Sequence, residues 1–156
     1  HANDEFLAPV TQGLQRTLIT LDGATTNHDP FPPFDGMPLV HGSRESGKID
    51  EVRWEGYIVL PMGGTHVLSI RTSSGFRLKF GSSHSEAWTP PETRTTRSYQ
   101  RTLPAGIYPF RLVLHSPDSG SGPVVSLKSS GSSLRYPLAW YFFTPPTLSA
   151  RKRNTR

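Results

Sequence analysis

Val52-Arg53-Trp54-Glu55-Gly56-Tyr57-Ile58-Val59-Leu60-Pro61 decides the fold, as a Trp-x-Gly-aromatic strand that ends in a proline and runs into the turn Met62-Gly63-Gly64. The segments after it extend the pattern. Thr65 to Ile70 reads as a second strand, Ser73-Ser74-Gly75 as a turn, and Phe76 to Phe80 as a third strand closing on Gly81. A Leu103-Pro104-Ala105-Gly106 turn then leads into Tyr108-Pro109-Phe110-Arg111-Leu112-Val113-Leu114. Pro104 fixes one φ of that turn, and Gly106 is expected to take φ > 0. Ile107 to Leu114 is apolar almost throughout and is expected to be a central strand.

Outside this stretch the chain is punctuated in the same way. Its 15 prolines and 14 glycines, with many serines and threonines, argue against long helices and for short strands joined by turns. Residues 14–21 read as a first strand. A long loop is expected from Asp22 to Gly47, where Asp-Gly, Asp29-Pro30, Pro32-Pro33 and Asp35-Gly36 are turn signals and Phe31, Phe34 and Met37 are apolar pins. Further strands are expected at 51–60, 65–71, 76–80, 96–103, 107–115, 123–128 and 137–143. Ser82 to Pro91 reads as irregular, and Ser116 to Ser133 as a mobile Ser/Gly-rich hairpin around a strand. The fold class is therefore all-β, an antiparallel β-sandwich or partly closed barrel of about eight strands with long loops. A length of 156 residues suits one domain, expected at 14–143, between an N-terminal arm or linker at 1–13 and a Pro-containing basic tail at 144–156.

Composition excludes several function classes. The chain has no cysteine, hence no disulfide, thiolate zinc site or cysteine nucleophile. No window approaches the roughly 18 consecutive apolar residues of a membrane helix, so no membrane span is expected. Because the first residue is His1 and not Met, the sequence is expected to be a processed or excised piece. Charge is uneven: residues 1–60 hold nine acids and four bases, and residues 61–156 hold three acids and thirteen bases. Arg71, Arg77, Lys79, Arg94, Arg97, Arg101 and Arg111 form either a solvated sheet face or a positive surface for phosphate, sulfated glycan, anionic lipid or acidic protein. The terminal Arg151-Lys152-Arg153-Asn154-Thr155-Arg156 lacks the interleaved aromatic residues of a single-strand binder, so no nucleic-acid partner is expected.

The run Val52 to Tyr57, then Pro61 to His66, Thr72 to Leu78, Trp88 and Leu103 to Arg111 resembles the PA-fourteen domain family, named from the N-terminal region of anthrax protective antigen. The resemblance covers about residues 14–143 in order. It implies a β-sandwich or partly closed barrel, and glycan binding or adhesion as a module of a larger protein. Within it, Trp54 is expected to fill the space between sheets and Gly56 to allow close packing beside it. The family's sugar-binding adhesins hold calcium with two successive aspartates in the turn before the Gly-x-x-Leu strand. This chain carries Ser73 and Ser74 there, neutral hydroxyls that supply neither charge, so the two-aspartate calcium site is not expected and no cofactor is assigned. Asp22, Asp29, Asp35 and Asp118 read as turn residues, with cation binding the lesser alternative.

Glycan recognition without metal needs an aromatic platform and hydrogen-bonding groups on loops of the scaffold. Trp88 is the first candidate, near His84 and Glu86. Ser73, Ser74 and Arg94 complete the candidate ligand-binding set, and Tyr99, Trp140 and Tyr141 are read as core before platform. No catalytic residue is assigned. The six histidines show no HExxH or other metal spacing, no serine lies in a Gly-x-Ser-x-Gly elbow, and acids are sparse after residue 60 for a carboxylate pair. A free N-terminal histidine such as His1 is a copper ligand in some polysaccharide oxygenases, a remote alternative here. The expected function is a non-catalytic carbohydrate-binding or adhesion module of a secreted or cell-surface protein. The alternative is a structural or assembly module that docks an acidic protein surface.

Overall fold

The computed structural model of the chain describes residues 11–30, 32, 34–36, 49–81, 87–90, 95–117, 122–129 and 141–144, with the backbone alone at 87–89 and 95. Eleven strands run through these residues. They are β1 (Thr11–Gln12), β2 (Leu14–Thr20), β3 (Gly23–Asp29), β4 (Ile49–Leu60), β5 (Gly64–Thr72), β6 (Gly75–Phe80), β7 (Ala87–Thr89), β8 (Thr95–Leu103), β9 (Gly106–His115), β10 (Val124–Ser129) and β11 (Phe142–Thr144). The large sheet has the order β1-β11-β4-β9-β6-β7, with the β2–β3 hairpin also attached to β4, and the small sheet has the order β10-β5-β8. The all-β sandwich expected from the sequence is the architecture observed.

β4 is the spine of the large sheet. Its 12 residues are enough to take two neighbours along one edge, β2 beside Ile49 to Glu55 and β11 beside Tyr57 and Ile58, while β9 pairs along the other edge from Glu51 to Leu60. β9 lies between β4 and β6, the central place expected from its apolar run. Its ladder with β6 stops at Phe110, paired with Phe80, so Pro109 falls where no β6 N–H···O bond is needed and a residue without an N–H is tolerated.

The core lies between the sheets, on the alternate positions of each strand. Val52, Trp54, Ile58 and Leu60 of β4, Phe110, Leu112 and Leu114 of β9, and Phe76, Leu78 and Phe80 of β6 form one apolar wall. Leu68 and Ile70 of β5 and Val125 of β10 face them. Each large side chain so buried contributes about 1.5–3 kcal/mol relative to exposure. Phe34, expected as an apolar pin, plugs the middle: its ring stands edge-on to Trp54 at 5.1 Å and to Phe142 at 5.7 Å. Backbone hydrogen bonds from Val125 N to Phe34 O and from Gly36 N to Pro123 O lace this segment to the start of β10. Gly56 is required by close approach, since a Cβ there would come within 2.7 Å of Leu14 Cδ2 and of Phe143 O.

Three expectations are corrected. The loop from Asp22 to Gly47 is not loop at its start: residues 23–29 form β3, paired residue for residue with β2. Every residue of β3 before Asp29 is exposed, so no hydrophobic alternation marks it in the sequence. Ser82 to Pro91 is not wholly irregular, because β7 pairs with β6 in register, Trp88 opposite Arg77. Gly106 is not among the glycines with positive φ; the turn is held instead by the Tyr108 hydroxyl, which donates to Pro104 O at 2.6 Å. The strand expected at 137–143 is described only from Tyr141, and its paired part is Phe142–Thr144. From β4 onward, every connection except β6–β7 passes from one sheet to the other, so the turns at Ser73-Ser74 and Pro104-Ala105 are corners of the sandwich and not hairpins.

Candidate binding site

The corner at Ser73-Ser74 carries β5 of the small sheet into β6 of the large one. Thr72 and Ser74 are buried, and the Thr72 hydroxyl accepts the Ser74 backbone N–H at 3.1 Å, so the corner is fixed from inside by a side-chain turn. Ser73 alone of the two serines is exposed. Among the described residues, no group of three or more His, Asp or Glu stands close enough to hold a metal ion. No helix of the described residues is long and apolar enough to cross a membrane.

Of the other candidate residues, Trp88 falls on β7, at the margin of the large sheet. β7 is the last strand of the large sheet and β8 an outer strand of the small one, so each lies at the margin of its sheet. Two contacts tie the sheets there. Phe76 of β6 meets Tyr99 of β8 edge-on at 6.3 Å, and Gly81 lies so close that a Cβ would sit 3.2 Å from Leu103 Cδ1. Trp88 is on this margin by its backbone position. His84, Glu86, Arg94 and Trp140 lie outside the described residues, as do Asp118 and His1. Tyr99 and Tyr141 pack partly buried against the core, as read from the sequence.

The outer face of the large sheet shows what sequence reasoning missed. Its residues alternate with the core set, and the ladder registers arrange them in rows. Thr17, Arg53, Val113 and Arg77 form one row across β2, β4, β9 and β6, and Gln15, Glu55, Arg111 and Lys79 form the next. Arg53 Nε donates to Glu51 Oε2 at 3.1 Å, the same pair is closed through Nη2, and Arg111 Nε stands 3.8 Å from Glu55 Oε2. His115 Nδ1 lies 3.8 Å from Glu51 Oε1. Toward the far end of β4 and β9 the charged rows give way to Phe143, Tyr57 and Pro109, then to Val59 and Ile107. Tyr57, Ile107 and Met62 are exposed there. The alternation Tyr57-x-Val59 opposite Trp54-x-Gly56-x-Ile58 was the available signal, overshadowed by the resemblance of the same residues to a scaffold.

One buried polar group stands apart in the small sheet. His66 is 1% exposed; its Nδ1 is 2.7 Å from Ser129 Oγ, and its Nε2 has no hydrogen-bond partner among the described residues.

No protein-family model matches the chain, and no curated protein matches it. Solved structures do. The chain is similar to an anti-sigma factor domain-containing protein, with a TM-score of 0.64, 17% identity, and coverage of 88% of this chain and 49% of that one. It is similar to the A domain of epithelial adhesin 6 from Candida glabrata, solved in complex with Galβ1-3GlcNAc, with a TM-score of 0.64, 12% identity and 88% coverage of both chains. It is also similar to the PA-fourteen domain of the MpAFP antifreeze protein, with a TM-score of 0.54, 14% identity, and coverage of 88% and 93%. At these identities the likeness is one of fold, and the fold is PA-fourteen-like. The chain spans about half the length of the first of these proteins.

Proposed function

We propose that this chain is a non-catalytic carbohydrate-binding or adhesion module of a larger secreted or cell-surface protein, and that it works without the two-aspartate calcium site. The observation that carries this reading is the match to the adhesin domain, which extends over 88% of both chains and so concerns the whole architecture. The neutral corner supports the second half of the proposal. Ser73 and Ser74 bring no carboxylate, and Ser74 is buried with its N–H already bonded to Thr72, so this corner is a structural hinge between sheets. Recognition then falls to aromatic and planar polar groups, and Trp88, on β7 at the margin of the large sheet with His84, Glu86 and Arg94 near it in sequence, is the first residue to test. Ser73 is a further contact if a ligand reaches the β5–β6 corner.

A printed glycan array probed with the purified chain, in calcium and again in excess chelator, tests the proposal. Calcium-independent hits are the expected result. Hits that vanish with chelator would return the calcium mechanism, and silence in both conditions would overturn the carbohydrate reading. Silence would favour the second reading, an assembly module docking an acidic protein surface, to which the exposed Arg71 and Arg77 are suited.

A further inference from the structure

We infer that the outer face of the β4–β9 ladder is a second recognition surface, a platform centred on Tyr57 that takes a neutral oligosaccharide laid across the strands. The inference rests on the carbohydrate-binding reading above and places a site at a different part of the fold from Trp88. Tyr57 stands between Phe143 of β11 and Pro109 of β9 in one row, and Val59 and Ile107 form the row beyond it. Tyr57 is 38% exposed and Ile107 67% exposed. Three strands set about 4.8 Å apart and two rows about 7 Å apart give a floor of roughly 10 Å by 7 Å.

That size selects the occupant. A stable protein interface takes about 20–30 residues from each side, and this floor has five before the charged rows begin. It suits the apolar faces of one or two sugar rings. The row next to Tyr57 supplies what the hydroxyls need. Glu55 and Arg111 are partly exposed at 46% and 35%, and their planar carboxylate and guanidinium groups are matched to paired hydroxyls. Gln15 and Lys79 continue the same row on either side. Beside Tyr57 the acid Glu55 faces the base Arg111, with Lys79 the one further charge of the row, and this near-balance favours a neutral ligand over a sulfated one. β6 has ended where Pro109 begins, so among the described residues no strand flanks β9 there. A linear chain entering over that edge of β9 would cross Tyr57. The ladder beneath is fixed by continuous pairing from Glu51 to Leu60, so little ordering is required on binding.

The test is titration of the whole chain with cellohexaose, and in parallel with a heparin-derived hexasaccharide, followed by two-dimensional NMR on wild type, Tyr57→Ala, Tyr57→Phe and Trp88→Ala. Cellohexaose is expected to shift the amides of Tyr57, Val59 and Ile107. Tyr57→Ala is expected to weaken binding about tenfold or more, with Tyr57→Phe close to wild type. Tyr57 lies outside the core, so unchanged amide dispersion will show that Tyr57→Ala is folded. Binding that Tyr57→Ala leaves unchanged and Trp88→Ala removes would overturn the platform and leave the carbohydrate reading standing. Stronger, salt-sensitive binding of the heparin fragment centred on Arg77 would overturn the platform too. If no glycan on the array and neither hexasaccharide binds wild type, both fail together.

Discussion

The β4–β9 ladder and the β2–β3 hairpin are antiparallel pairs of one sheet, yet what their inner faces meet is entirely different. Under β4 and β9 lie the small sheet and the Phe34 plug, and every inward residue from Val52 to Leu60, Gly56 aside, is apolar and buried. The hairpin runs past the margin of that cover. β2 keeps Leu14 in the core and Leu18 against its edge, and then β3 carries Ala-Thr-Thr-Asn-His, exposed along its length. The same backbone geometry is thus held by burial in one place. In the other it is held by a tight turn, the ladder itself and small contacts such as the Thr17–Thr26 hydroxyl pair at 3.0 Å. A strand is as cooperative with the core as the surface it shares with it.

Substitutions can break this contrast. The largest effect is expected at Trp54, fully buried and edge-on to Phe34: Trp54→Ala should cost about 4 kcal/mol in urea unfolding. A loss below about 1 kcal/mol would mean that the inner face of β4 is not the core. Next comes a matched pair of glycines with positive φ, Gly13 at 103° and Gly23 at 132°. At Gly13 a Cβ would lie 2.1 Å from Asp29 O and 2.4 Å from Pro30 Cα, both backbone atoms that cannot yield, whereas at Gly23 it would meet nothing within 4 Å. Gly13→Ala is expected to cost about 3 kcal/mol, strain and collision together, and Gly23→Ala about 1 kcal/mol from strain alone. Equal midpoints for the two would show that the hairpin tip does not differ from its root. The smallest effect is expected in β3: Thr26→Ala should change stability by under about 0.5 kcal/mol. A larger loss, read from the same denaturation curves, would reveal a cover on β3.

The contrast also explains which parts could be read in advance. β4, β5, β6 and β9 were legible because burial on one face writes alternating or continuous apolar residues into the chain. β3 was not, because an exposed strand has no hydrophobic period, although Asp22-Gly23 is a hairpin signal; nor was β7, three residues long and followed by two prolines. The substitution at Ser73-Ser74 was visible from the resemblance, but not that Thr72 and Ser74 are buried at a corner between sheets. Tyr57 reads in the sequence as part of a scaffold strand. Its place beside Phe143, 86 positions later in the chain, depends on β11 pairing with β4 and on nothing local.

The sequence by itself determined the class of the fold, most of its strands and the neutral character of the β5–β6 corner, because strand period, turn residues and charge are local properties of a chain. Only the tertiary structure decided which strands share a sheet, that most turns cross between the two, and that Phe143, Tyr57 and Pro109 stand in one row next to Glu55 and Arg111. Those are consequences of long-range pairing. Period and turn chemistry fix a strand's faces, and partners far along the chain fix what those faces touch.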